Sequence, residues 1–242
     1  MDLAQKSPEY LSELARHHVG GHLKVAPEHT DPNVLRLMKK PDVQDFEGFA
    51  KAFREASTHA GKRQYVVPYF IASHPGSDLN AMIDLALFLK RNGHRPDQVQ
   101  DFIPAPFDIA TALWHTGIDP FTGEEVHVAK GLRDRKMQRA LMQFFKPENY
   151  FMVREALLKA GRADLIGNGC DCLIPAHPPK AAIEARRRRA NEAAEGDHYH
   201  AVANPAKGEP AGERGLPSPG YRPGRTSARR QDRKRPRDDG GR

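Results

Sequence analysis

Two short polar clusters follow apolar runs, at positions where an enzyme keeps its reacting groups. Glu28-His29 follows the run His22-Leu23-Lys24-Val25-Ala26, and His74-Pro75-Gly76 follows Tyr65–Ala72. A carboxylate such as Glu28 can accept hydrogen bonds from a ribose diol or hold a cationic group. Gly76 permits positive φ or close approach of the backbone to a ligand, and Pro75 fixes the turn that carries His74. Each cluster also has a plainer reading. Glu28 favours the positive end of a following helix, His29 is a polar loop residue, and His74 sits in an ordinary strand-to-helix connection. No second ligand stands at metal-binding spacing from His74.

Cys170-Asp171-Cys172 with His177 is a weak zinc pattern, because C-x-C has no second pair in this chain. Two cysteines are too few for a disulfide framework or an iron–sulfur cluster, and adjacent-but-one thiols fit disulfide geometry poorly. Low cysteine use fits a reducing compartment, so the expected location is cytoplasmic. Arg186–Arg189 and Arg229-Arg230-Gln231-Asp232-Arg233-Lys234-Arg235 could touch phosphates by counterion release. Aromatic residues are not interleaved with them for base stacking; Tyr199 and Tyr221 stand alone. A solvated tail, with weak nucleic-acid binding at most, is the expectation.

The elements that must position these residues alternate in type. Pro8–Val19 has helical spacing and ends at Gly20-Gly21, before a strand at His22–Ala26. Asp31-Pro32 reads as an N-cap and first-turn proline for a helix ending near Lys39, and Phe46, Phe49, Ala50 and Phe53 form the core stripe of the next. Tyr65–Ala72 is apolar enough to be buried on both faces, although Pro68 counts against a central strand. Ser77 can cap a helix over Asp78–Arg91, with Gly93 at C′. Val99–Ile103 is a third strand candidate. The chain then turns irregular, with a possible hairpin from Ile118 into Val126-His127-Val128. Helices follow at about Arg133–Phe145 and Pro147–Ala160, and a polar one at Ala181–Ala194. Strands separated by helices imply a parallel sheet, whose chemistry lies at the carboxyl ends of the strands.

Charge separates the chain into two parts. Of its 38 Lys/Arg and 31 Asp/Glu, 15 and 9 fall in residues 181–242, leaving 23 and 22 in residues 1–180. The isoelectric point near 9.5 is therefore a property of the tail. From Glu195 onward Gly, Pro, Arg and Asp dominate, and such a segment cannot offset its conformational entropy by burial, so it is expected to be disordered. The sequence contains no apolar run of the ~18–20 residues a membrane helix needs, no signal-peptide pattern and no internal repeat.

Several longer runs carry a family resemblance. Leu23-Lys24-Val25-Ala26-Pro27-Glu28-His29-Thr30, Val67–Gly76, Val99-Gln100-Asp101-Phe102, Thr116–Glu124, Met137-Gln138-Arg139-Ala140-Leu141 and Asp164-Leu165-Ile166-Gly167 together resemble the YgiQ family of radical SAM proteins, in order, over about residues 1–180. The resemblance implies an α/β chain. Residues 1–110 would be the second half of a TIM-type radical SAM barrel, residues 111–180 the family's C-terminal helical region, and residues 181–242 the basic tail. Complete members carry a CxxxCxxC motif that binds a 4Fe–4S cluster and holds S-adenosylmethionine, which is cleaved to a 5′-deoxyadenosyl radical. This sequence contains no CxxxCxxC. Glu28 and His74-Pro75-Gly76 would fall on the fourth and fifth strand tips, where such barrels contact the ribose and adenine of the cofactor. The implied partner is the N-terminal radical SAM half, and the substrate stays unassigned. The alternative is a non-catalytic interaction module that binds nucleic acid weakly through its tail.

Overall fold

In the computed structural model, which describes residues 6–194, the first helix α1 (Pro8–Glu13) begins where Ser7 accepts the Tyr10 N–H and Pro8 opens the first turn. It runs into a single π-helical turn, Leu14–His18, in place of the continuous α-helix expected. The carbonyls at this turn are met from outside: Gln64 Nε2 donates to Ala15 and Val19, and Ser57 Oγ donates to Gln64 Oε1 at 2.7 Å. One buried amide thus fixes the entry to the sheet.

Strand β1 (His22–Glu28) pairs in parallel with β2 (Tyr65–Ala72), which pairs in parallel with β3 (Gln100–Asp101). Between β1 and β2 lie α2 (Pro32–Leu37) and α3 (Val43–His59), and between β2 and β3 lies α4 (Leu79–Arg91). β1 extends two residues past Ala26 because its register slips: Val25 faces Pro68 but Glu28 faces Phe70, so β1 carries one extra residue there. β2 is the central strand despite Pro68. The reason lies on its far side, where β3 pairs only with Ile71 and Ala72 and leaves no ladder beside Pro68 to break.

Among the described residues helices cover one face of the sheet, and on the other Val67, Tyr69 and Ile71 of β2 are half-buried, which corrects the expectation that β2 is buried on both. Leu23, Val25 and Val66 pack against Leu11, Phe49 and Phe53 of α1 and α3. Farther along the same face, Phe70 and Ala72 pack into the larger core with Met82, Ile83, Leu85, Ala86 and Leu89 of α4. Each fully buried Phe, Leu, Ile or Met side chain among them contributes roughly 1.5–3 kcal/mol by leaving water. Both crossovers therefore wind over one side. On the other, His22, Lys24 and Ala26 are exposed, Tyr65 is 53% exposed, and Lys24 Nζ lies 5.6 Å from the centre of the Tyr69 ring.

Past β3 a helix appears where irregular chain was expected. α5 (Ile109–Thr116) starts at Asp108, whose Oδ1 accepts the Ala110 N–H, and stops at Gly117 in the left-handed conformation. The expected hairpin is reduced to a single antiparallel bridge, Ile118 with Glu125. α6 (Leu132–Met142) and α7 (Tyr150–Lys159) add Met137, Leu141, Val153 and Leu157 to the core on α4. The last described element, α8, spans Lys180–Ala194. No described helix is long and apolar enough to cross a membrane.

Candidate functional site

The carboxyl ends of the three strands meet at a cleft of about 380 Å³, lined by Glu28, Lys40, Ile71, His74, Asp101 and Phe102 among others. Glu28 stands at the β1 tip with φ of 72°, a left-handed conformation that a non-glycine residue adopts only when its surroundings enforce it. Lys40, in the turn after α2, does part of that enforcing. Its Nζ donates to the Ala26 carbonyl at 3.1 Å and lies 3.3 Å from Glu28 Oε1. The extra residue in β1 and the ion pair thus act at the same place.

Ser73, one residue past β2, is also left-handed, with φ of 63°. The following His74 is buried, edge-on to Phe102 with ring centres 5.1 Å apart. Its Nδ1 lies 2.8 Å from the Pro75 carbonyl, which can only accept, so Nδ1 carries the proton and Nε2 is the acceptor. Burial pushes the imidazole below its usual pKa, and the bond to Pro75 opposes that only in part. Pro75 and Gly76 are not among the residues lining the cleft. They shape the turn: Gly76 has φ of 90°, donates its N–H to the His127 carbonyl at 2.8 Å, and lies so near α2 that a Cβ would meet Leu37 Cδ1 at 2.5 Å.

His29 and Ser77 look at first like a base and a nucleophile. His29 Nε2 is 3.2 Å from Ser77 Oγ, and both are fully buried. The tautomer rules that chemistry out. The Asp31 N–H donates to His29 Nδ1 at 3.0 Å, so the proton sits on Nε2 and is donated to the serine. Burial lowers this histidine to about 4. The pair ties the β1 tip to the turn after β2, which is why Ser77 does not cap α4. Asp78 does so instead, accepting the Ala81 N–H at 2.8 Å.

Three buried side-chain atoms at or just past the strand ends have no hydrogen-bond partner among the described residues: Thr30 Oγ1, two residues after β1, Ser73 Oγ after β2 and Asp101 Oδ1 in β3, of which Asp101 alone lines the cleft. Buried polar atoms are seldom left unpaired, and a group at a site that binds something is a common exception.

The other candidates do not join the cleft. Cys170 is exposed and Cys172 half-buried, and Lys90 Nζ donates to the carbonyls of both rather than to their thiols. Among the described residues, no three His, Cys, Asp or Glu side chains gather as a metal site. Arg186–Arg189 are exposed on α8, while Arg229–Arg235, Tyr199, Tyr221 and the expected disorder after Glu195 lie outside the described residues. Inspection of the sequence alone misses Lys40 and Gln138. Gln138 gave a faint signal, a polar residue at core spacing with Leu141 and Met142.

Comparisons with known proteins agree on one lineage. A family profile described as "Domain of unknown function (DUF3362)" matches residues 97–237. A UPF0313 protein of Bradyrhizobium diazoefficiens is 47% identical over 194 residues, covering 78% of this chain and 29% of that protein. One from Clostridium botulinum is 50% identical over 170 residues, covering 70% and 27%. One from Pseudomonas putida is 46% identical over 202 residues, covering 81% and 26%. The chain spans less than a third of the length of these curated relatives, whose names state no activity.

Proposed function

This chain belongs to the UPF0313 (YgiQ) family and carries its DUF3362 domain, and from that premise we propose that residues 1–110 are the second half of a TIM-type radical SAM barrel. Its strand-tip cleft binds the adenosine part of S-adenosylmethionine. Residues 111–180 are the helical region that backs this cleft, and residues 181–242 are a separate basic tail. The observation that carries the reading is the convergence of three parallel strand ends on one cleft lined by Glu28, His74 and Asp101, where Asp101 Oδ1 has no partner among the described residues. Winding of both crossovers over one face supports it further. In a barrel that covered face is the outer one, and the face bearing Lys24, Tyr65 and Tyr69 is the inner. The strands completing the barrel would pair with the outer edge of β1. With two free thiols, the proposed location is a reducing compartment, the cytoplasm.

The residues present fit the nucleoside part of the cofactor. The cleft lies within the roughly 300–1,000 Å³ typical of small-molecule sites. Glu28, kept near Lys40, offers a carboxylate that accepts from a ribose diol, and His74 Nε2 accepts from an exocyclic amine. The same residues do not fit a 4Fe–4S cluster, since a CxxxCxxC motif needs three thiolates and the chain has two cysteines, both away from the cleft. No step through the cluster is assigned to this chain. Bound S-adenosylmethionine would supply the radical chemistry of the intact protein, and this chain would hold and orient its adenosine.

The test is titration of the full chain with S-adenosylmethionine, followed by amide NMR. Saturable shifts centred on residues 28–30, 71–77 and 100–103 are expected, and Glu28→Gln should weaken binding about tenfold by removing a charge-assisted acceptor. Shifts confined to residues elsewhere, or none at millimolar cofactor, would refute the reading.

A further inference from the structure

We infer that Gln138 of α6 is a positioning residue that clamps the Ser73–Ser77 turn and thereby presents His74 to the cleft. The ligand in this inference rests on the reading above; the clamp does not. Gln138 is 1% exposed, in a helix whose neighbouring buried positions are apolar. Its Oε1 accepts the Ser73 N–H and its Nε2 donates to the Ser77 carbonyl, both at 2.8 Å. The partners fix the amide's orientation, since an N–H can only donate and a carbonyl only accept. One planar group thus closes the two ends of a five-residue turn.

Everything of interest in that turn lies between those two bonds. Ser73 holds its left-handed conformation at the first, and His74 and Pro75 make their imidazole-to-carbonyl bond inside the loop. Gly76 donates to His127, which precedes α6, and the Ser77 N–H closes on the His74 carbonyl at 2.9 Å. At the second bond the clamp continues across the sheet, because Ser77 Oγ accepts from His29 at the β1 tip. Gln138 therefore sets the position of one strand tip relative to the other. α6 reaches the third tip as well, where Arg139 Nη1 is 2.9 Å from Asp101 Oδ2. The helical region after the sheet acts on the cleft as its template, without lining it.

The experiment compares the full chain with Gln138→Met, which keeps the volume and loses both bonds, and Gln138→Glu, which keeps an acceptor for Ser73. Amide exchange is read at residues 73–77 against residues 66–70 of β2, and the His74 ring is read by 15N NMR. In Gln138→Met the Ser73 amide should exchange roughly tenfold faster or more than in the native chain. Exchange in β2 should stay within a few-fold, and His74 should lose its Nδ1-protonated signature. Gln138→Glu should restore much of the Ser73 protection. Equal acceleration in the turn and in β2 would reduce Gln138 to a general core residue and overturn the inference, as would an unchanged turn and ring spectrum. If Gln138→Met does not fold, Gln138→Glu decides alone, by whether Ser73 stays protected and the His74 spectrum shifts. A His74 signal unmoved by S-adenosylmethionine in the native chain overturns the ligand reading and leaves the clamp standing.

Discussion

Acid should weaken this fold through His29 in a narrow and calculable range. The imidazole is fully buried, its Nδ1 already accepts the Asp31 N–H, and burial lowers its pKa from 6.5 to about 4. Between those values the unfolded chain binds a proton that the folded chain refuses, so stability rises with pH across the interval and falls on acidification. Above pH 6.5 neither state is protonated and the effect vanishes. At pH 5 the difference amounts to about 2 kcal/mol, and below pH 4 it saturates near 3 kcal/mol. Burial also lowers His74 and His94, so the native chain alone sums several contributions. His29→Gln isolates one, because an amide can still donate to Ser77 yet cannot titrate. Urea unfolding at pH 7.5 and pH 5.0 should show the native chain losing about 2 kcal/mol more than the variant. Parallel losses in the two proteins would refute the assigned burial and tautomer.

Other perturbations test neighbouring parts of the argument. Gly76→Ala should cost about 2–4 kcal/mol in a denaturation midpoint, since a Cβ there meets Leu37 at 2.5 Å and the φ of 90° is strained for any other residue. Gln64→Leu should cost about 2–4 kcal/mol by stranding the Ala15 and Val19 carbonyls, while the Ser57 hydroxyl keeps the Lys62 carbonyl as acceptor, with the loss seen as faster amide exchange around the π turn.

What was legible in the sequence was whatever is encoded within a few residues. The β2 bounds, Tyr65–Ala72, follow from one apolar run, and the Asp31 and Gly93 punctuation falls at the ends of α2 and α4 as read. α5 was legible in its caps, Asp108 and Gly117, but the prolines before it masked the signal. What failed depends on distant partners. Ser77 has a good N-cap composition, yet His29, 48 positions earlier, claims its hydroxyl. The slip in β1 exists only relative to β2, and burial of both β2 faces depends on whether anything lies over the second. Glu28 and His74 stand out in the sequence because strand tips are a general location for chemistry, and both line the cleft. Lys40 and Gln138 were missed because their importance arises from bonds to those tips, 12 and at least 61 positions away.

The separation between the turn and its clamp has a consequence in time. The bonds that close Ser73–Ser77 both come from Gln138, 65 positions beyond Ser73 and 61 beyond Ser77. At synthesis rates of about 5–20 residues per second, that gap lasts roughly 3–13 s. β1 and β2 can already pair during it, while Ser73 has nothing to hold its left-handed backbone. The cleft is therefore finished late, by a helix made after all three of its strands, and a chain arrested within that interval carries β1 and β2 without the bonds that close the turn.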